Sequence, residues 1–481
     1  MKPVLKLAVQ SVAVALRARR EDVRTRVCPW LSTRDRLHRA ASIRIFVLIL
    51  IACFEHGASA VTLQQVLNTT LERNPAIQEA KAGLEQAAGK RLVFRSVTWP
   101  DFLVGVPAGL QAGHRSGENG VKGFAIGRAW LNQTLFDMAV PPSLRRGDVE
   151  VLIAQQQLNV TVVEQLHAAR LAFYAALYNR SLESIREEQR QKLEENVATQ
   201  KNRFEAGLAN KSAFTSATVE TDELVRQIES AHRAYQDAQL KLAEAMAIDP
   251  ASSRLPEPEG ELEFVPTRVD VASETASALQ RRADLKLARL FVNAANQDER
   301  IIAAGYYPAV AGSIRGEYVP VTGIHRQEST SKTQDFIGSE IMERATYTWQ
   351  VIDNGKVGGA VLKARAAREE NELTCRKLEA NVSRELSRIA NSLQAIDARE
   401  NSLSDASTAA EEGAGTVREN VASGLVSPLE YRITQNAFLK TRSGLLDSRY
   451  QHNLALAEWD RAAGRYFQFS DESRESRPQG K

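Results

Sequence analysis

The sequence predicts a mainly helical chain with a small set of amphipathic strands, the whole plan occurring twice in tandem. Three observations carry this. Ordered landmarks recur at a nearly constant spacing, two long stretches contain no proline, and short segments before them alternate apolar and polar residues.

The repeat comes first. Arg73-Asn74-Pro75-Ala76-Ile77 aligns with Arg281-Arg282-Ala283-Asp284-Leu285 at an offset of 208, which holds without gaps to Trp99-Pro100 and Tyr307-Pro308. Leu135-Phe136-Asp137 then matches Val351-Ile352-Asp353 at 216, and Phe204-Glu205-Ala206-Gly207-Leu208 matches Val421-Ala422-Ser423-Gly424-Leu425 at 217. The growth of eight after Trp99-Pro100 puts a longer loop in the second copy. The expected organisation is a leader over 1–60, a first repeat over 61–249, a Pro-rich join over 250–268, a second repeat over 269–467 and a polar tail over 468–481.

Each repeat reads as a helix, two strands and two long helices. Thr62 with Gln65 three residues on is a capping-box pattern, so a helix begins at Leu63 and runs towards Val97. After Trp99-Pro100 the period changes to two: Phe102, Val104, Val106, Ala108, Leu110 and Ala112 form one face. A return strand is expected from about Gly123 to Phe136. The second copy repeats this with Val310, Ile314 and Tyr318, and returns through Ala345, Tyr347, Trp349 and Val351. No proline lies between Pro142 and Pro250 or between Pro320 and Pro428, which predicts helices over 143–206 and 357–422. Leu224, Ile228, Ala231, Tyr235, Ala238, Leu242 and Ala245 step by four and three, a heptad seam for close antiparallel packing.

The N-terminus reads as an address. Residues 1–60 hold 11 of the 62 basic and 4 of the 59 acidic residues, so the rest of the chain is mildly acidic. Ile45–Cys53 is an apolar run too short to span a bilayer, and Ala58-Ser59-Ala60 supplies small residues for cleavage before Val61. Leu50-Ile51-Ala52-Cys53 offers the alternative of acylation at Cys53. The balance of charge gives no case for nucleic-acid binding. Three Cys and seven His, none at zinc spacing, give no case for a disulfide framework or a metal site. No nucleotide-binding loop, nucleophile elbow or metalloprotease motif occurs, Cys375 has no catalytic partner pattern, and neither an enzyme nor a cofactor is expected.

Four strands of about ten residues match a tilted membrane-crossing strand in length, yet four cannot close a barrel, and open edges are not tolerated in lipid. Periodicity alone leaves two readings open: strands pooled between chains in a membrane, with Trp99, Trp130 and Trp349 as an aromatic girdle, or a soluble sheet capping a bundle.

The duplication, the strand pairs, the turns at FEAGLANKSAF and VASGLVSPLEY, and the opening VTLQQVLNTTLERNPAIQEAKAGLEQA together resemble the TolC-like outer membrane efflux proteins over about 61–467. The resemblance implies a homotrimer whose twelve pooled strands form an outer membrane barrel, with a coiled-coil helical tunnel in the periplasm. It further implies a passive channel in contact with outer membrane lipid, docking a periplasmic adaptor protein and an inner-membrane pump for efflux or secretion. The alternative is an exported periplasmic coiled-coil scaffold or adaptor without a pore. On the family reading the helix tips, Gly207, Leu208 and Asn210 with Gly424, Leu425 and Ser427, face the adaptor. Gly and the Asn or Ser caps also serve the turns themselves. Glu430 matches an acidic position at the family's periplasmic aperture, and a second such position is Ile433 here. Arg315, Glu317, Arg344 and Gln350 fall on the inferred lumen face. The loop Pro320–Glu340, with His325, fits a long extracellular hairpin.

Overall fold

The computed structural model describes residues 60–115, 118–207, 210–251, 254–318, 339–423 and 425–469. The expected leader, Cys53, most of the 320–340 loop with His325, Leu208, Gly424 and most of the tail lie outside these residues.

In chain order, β1 (Ala60–Val61), α1 (Leu63–Arg73), α2 (Pro75–Ser96), β2 (Asp101–Gly105), β3 (Ala108–Arg115), β4 (Glu118–Ala125), β5 (Gly127–Phe136), α3 (Val140–Glu205) and α4 (Lys211–Ala245) make the first repeat. After β6 (Glu257–Pro258) come α5 (Val271–Arg281), α6 (Ala283–Ala303), β7 (Ala309–Tyr318), β8 (Ser339–Thr348), α7 (Lys356–Ala422) and α8 (Pro428–Ala462). The 66 residues of α3 extend about 100 Å at 1.5 Å per residue. β1 pairs in parallel with β6, tying the start of the first repeat to the join.

The expected capping box forms: Thr62 N–H donates to Gln65 at 2.9 Å and the Thr62 hydroxyl accepts from Gln65 N–H. The first helix, however, is two helices. The chain kinks at Asn74 (φ −57°, ψ 126°), because Pro75 cannot continue α1 and instead starts α2. Arg282 adopts φ −58°, ψ 126° at the equivalent point, with no proline to impose it. Each kink is held by its own side chain. Asn74 donates to Gln165 at 3.1 Å and to the Ala245 carbonyl at 3.2 Å. Arg282 donates to Asp284 and Glu385 at 2.8 and 2.7 Å and to the Ala462 carbonyl at 3.2 Å.

The heptad seam is present: Leu224, Ala231, Ala238 and Leu242 of α4 are buried. The cores of the repeats also correspond. Leu166, Phe173, Leu177 and Leu242 in the first occupy the places of Val382, Ile389, Leu393 and Trp459 in the second, and all eight are buried. Each last helix ends in the same turn, with Ile248 N–H on the Ala243 carbonyl and Arg465 N–H on the Asp460 carbonyl, both at 2.8 Å. The left-handed residue of that turn is Gly464 (φ 69°) in the second repeat but Ala247 (φ 55°) in the first.

Side chains sew the repeats together. Arg170 on α3 binds Asp460 on α8 at 2.6 Å. Beside them burial drives the His167 imidazole down to about 4 and the Tyr466 hydroxyl up to about 12, so both are neutral near pH 7 and share a 3.2 Å contact. Asn159 grips the Phe469 backbone twice, accepting at 2.8 Å and donating at 3.2 Å.

The strands differ from expectation in the first repeat. Instead of one hairpin of long strands, β2 and β5 belong to a four-stranded sheet, order β2-β5-β7-β8, while β3 and β4 form a separate antiparallel ribbon. Pro107, lacking an N–H, interrupts the ladder between β2 and β3, and its carbonyl accepts from Ile126 N–H at 3.0 Å on the opposite side. All pairings within the four-stranded sheet are antiparallel, with one bulge between Thr134 and Phe136.

Candidate channel surfaces

The sheet and the helix tips lie at opposite ends of the chain's long helices. α3 leaves the sheet at Val140 and ends at Glu205, where Gly207 N–H bonds the Phe204 carbonyl at 2.9 Å. Gly207 sits at φ 70°, a conformation cheap only without Cβ. Asn210 then caps α4, accepting from Ser212 N–H at 3.2 Å, and Phe204 stacks against Phe214 across the turn. In the second tip Leu425 N–H reaches back to the Asn420 carbonyl at 2.9 Å, and Ser427 caps α8 by accepting from Glu430 N–H at 3.2 Å. Leu425 is 77% exposed. Glu430 stands exposed in the first turn of α8, where the helix dipole favours a carboxylate, with Ile433 one turn further and 61% exposed.

Three side chains place the two tips side by side. Arg432 and Asn436 of α8 hold Glu220 of α4 at 3.2 and 3.0 Å, and Arg442 holds Glu188 of α3 at 2.7 Å. Sequence reading missed this bracket, because its members are more than 200 residues apart and charged residues on long helices are ordinarily solvated.

At the other end, register assigns the faces of the sheet, since directly paired residues project to one side. Arg315 pairs with Trp130 and Met342, Glu317 with Arg128 and Glu340, and Ser313 with Asn132 and Arg344. Arg315, Glu317 and Arg344 therefore share one face, which is otherwise largely polar. Glu317 bridges Arg315 at 2.7 Å and Arg128 at 3.3 Å. The opposite face carries Phe102, Val104, Leu131, Ile314, Ile341 and Tyr347, with Gln133, Ser339 and Glu343 among its polar members. Phe102, Val104, Ile341 and Tyr347 are exposed, an apolar surface that nothing among the described residues covers. Gln350 lies beyond the end of β8, so the ladder does not assign it a side.

Trp130 departs from the expected girdle. It sits on the polar face, in register with Arg315, and leans over β2 so that a Cβ on Gly105 would lie 3.4 Å from its ring. Trp99 is exposed near the start of β2, and Trp349 just past β8 donates to the Tyr306 carbonyl at 3.2 Å. Arg128 was also missed by sequence reading; counting outward from Arg315 along the paired strand would have found it.

Among the described residues, both outer strands, β2 and β8, have one unpaired edge. Among the described residues no helix is long and apolar enough to cross a membrane, and no group of His, Cys, Asp and Glu could hold a metal ion. Burial, with Glu379 nearby, pushes the Cys375 thiol up, away from the thiolate a nucleophile needs.

A family model described as outer membrane efflux protein matches residues 66–247 and again 275–465. No curated protein sequence matches the chain. Among solved structures, the outer membrane protein VceC of Vibrio cholerae is similar with a TM-score of 0.70 and 17% identity, over 84% of this chain and 96% of that one. The outer membrane channel CmeC of Campylobacter jejuni gives 0.73 and 13%, over 86% and 88%. The MtrE outer membrane channel of Neisseria gonorrhoeae gives 0.68 and 16%, over 84% and 88%. At these identities the likeness is one of fold.

Proposed function

Since the chain belongs to the outer membrane efflux protein family, and so is an outer membrane channel protein and not an enzyme, we propose that it is the passive exit duct of a tripartite efflux or secretion system. The observation that carries this is the four-stranded sheet with one apolar face, one polar face and two open edges. Such a sheet is stable in lipid only if other copies close it. Three chains pool twelve strands into a barrel, β8 of each protomer meeting β2 of the next. The apolar face meets outer membrane lipid and the face with Arg315, Glu317 and Arg344 lines water.

The long helices continue the duct into the periplasm, and cargo passes down its gradient or is pushed by an inner-membrane pump. Gly207, Asn210, Leu425 and Ser427 shape the tips that meet a periplasmic adaptor, joined by Leu208 and Gly424 in the same turns. Glu430, repeated three times about one axis, concentrates negative charge at the aperture while the tip is closed, repelling small anions and favouring cations until the tip opens. The Glu220–Arg432–Asn436 bracket keeps the two hairpins of a protomer together. Opening at the tip requires those contacts to slide or break.

The test is mass and conductance on one preparation. Outer membranes extracted in mild detergent should yield a particle of three chains, and planar bilayers should show discrete conductance. Glu430→Gln should lower cation preference; an unchanged preference would remove Glu430 from the aperture. A monomer without conductance would leave the pore-free scaffold as the better reading.

A further inference from the structure

The polar face of the sheet contains one row that does not fit it. Leu103, Trp130, Arg315 and Met342 are directly paired across all four strands, one residue from each. The next row outward is Gly105, Arg128, Glu317 and Glu340, and the next inward is Asp101, Asn132, Ser313 and Arg344. A row with three apolar members out of four, set between two charged rows, is unexpected on a surface that faces water only. Leu103 is 51% exposed and Met342 39%, so the row is not buried by the chain's own packing. Arg315 is partly neutralised by Glu317 at 2.7 Å.

We propose that this row is a binding belt for cargo: three copies, related by the trimer axis, place it as three inclined stretches on the lumen wall, each of which adsorbs flat aromatic molecules bearing an anionic group. The proposal rests on the channel reading, since only a closed barrel makes this face a lumen. The chemistry follows from the members. An indole face stacks on aromatic rings, and a thioether and an isobutyl group add adaptable apolar contact. A guanidinium beside them takes the anion or stacks on the ring. Sheet register fixes the four side by side across neighbouring strands, so a molecule lying on the wall meets adjacent members together. Binding at such a belt is shallow and open on one side, as conduction requires: cargo must leave as readily as it enters.

The test uses the full chain reconstituted in planar bilayers, with 2-naphthalenesulfonate as probe and methanesulfonate as the anion without a ring. Naphthalenesulfonate should reduce the single-channel current at concentrations where methanesulfonate does nothing. Trp130→Ser should raise the half-blocking concentration at least tenfold, while Trp99→Phe, away from the belt, should leave it unchanged. If Trp130→Ser does not assemble, Leu103→Ser puts the same question at a half-exposed position, with about a threefold rise expected. Channels that conduct but respond equally to both anions, or whose block survives loss of Trp130, would overturn the belt and leave the channel standing. A preparation that forms no trimer and never conducts would remove the channel reading, and the belt with it.

Discussion

The two repeats build one backbone with two different chemistries, and the kink between their first two helices shows the difference best. Asn74 and Arg282 have the same φ and ψ to within a degree and both reach the carbonyl that closes the last helix of their own repeat, Ala245 or Ala462. The groups hydrogen-bonded to the Asn74 side chain, from Gln165, Ala245 and Ala76, are all neutral. Around Arg282 the equivalent places have become charged together: Ala76 corresponds to Asp284 and buried Ala169 to Glu385. An amide meets its partners with hydrogen bonds alone. A guanidinium in the same slot needs carboxylates, and two have appeared. Geometry at this joint is therefore the retained quantity, and the means of holding it is interchangeable only as a set.

The largest expected effect breaks the charged set. Arg282→Met leaves Asp284 without its partner and Glu385 with Arg461 alone, and should destabilise the folded chain by about 3 kcal/mol. The measurement is the shift in urea midpoint of the detergent-extracted protein. Gly464→Ala attacks the same joint from the other side. A Cβ there would sit 3.2 Å from Arg282 Cγ and from its backbone nitrogen, at a φ of 69°, for a cost of about 2 kcal/mol. Asn74→Ala removes the cap on Ala76 N–H and leaves the Ala245 carbonyl unpartnered, at a cost of about 1.5 kcal/mol in the same assay. Ala247→Gly should move the other way, because alanine at φ 55° is strained; a gain of about 1 kcal/mol is expected. If Ala247→Gly destabilises, the correspondence of the two turns is superficial.

Acid should give the smallest effect and the sharpest contrast. Burial raises the Asp284 carboxyl, but the hydrogen bonds and charge of Arg282 outweigh it and hold the group below the ordinary aspartate range. A depressed carboxylate contributes stability above its ordinary value and loses it as pH falls through the lowered one. As pH falls below about 4, the ordinary aspartate value, amide exchange at 282–286 should rise relative to 74–78, where the clamp is an amide that does not titrate. Equal behaviour at both joints would show that Asp284 does not contribute.

Much of this was legible in the sequence, for reasons that can be named. The seam through Leu224, Ala231, Ala238 and Leu242 was visible because helix packing is periodic and local. Thr62 with Gln65, and Gly207 before Asn210, declare a helix start and stop within a few residues. The kink at Asn74 was there to be read from Pro75; the one at Arg282 was not, since Ala283 permits a straight helix and only the distant Glu385 and Ala462 bend it. The break at Pro107 was not read, although its missing N–H could have announced it: the alternation from Phe102 to Ala112 continues across the proline and suggests one strand. Trp130 was misread because β5 alternates weakly, and its side is decided by partners on β7, which the strand alone does not contain. The bracket at Glu220 is invisible for the same reason: Arg432 and Asn436 are ordinary exposed-helix residues until two hairpins are laid side by side.

The open edges of β2 and β8 have a consequence for inheritance. In the proposed trimer each protomer contributes one third of a closed wall, and a defective one cannot be outvoted by sound neighbours. One chain with a defective edge leaves one seam unsealed, and one open seam is enough to break the wall. In a cell making sound and edge-defective copies equally, random mixing would leave about one ring in eight wholly sound. Edge lesions should therefore be dominant, while lesions at the kinks, which a chain suffers before it meets its neighbours, should be recessive.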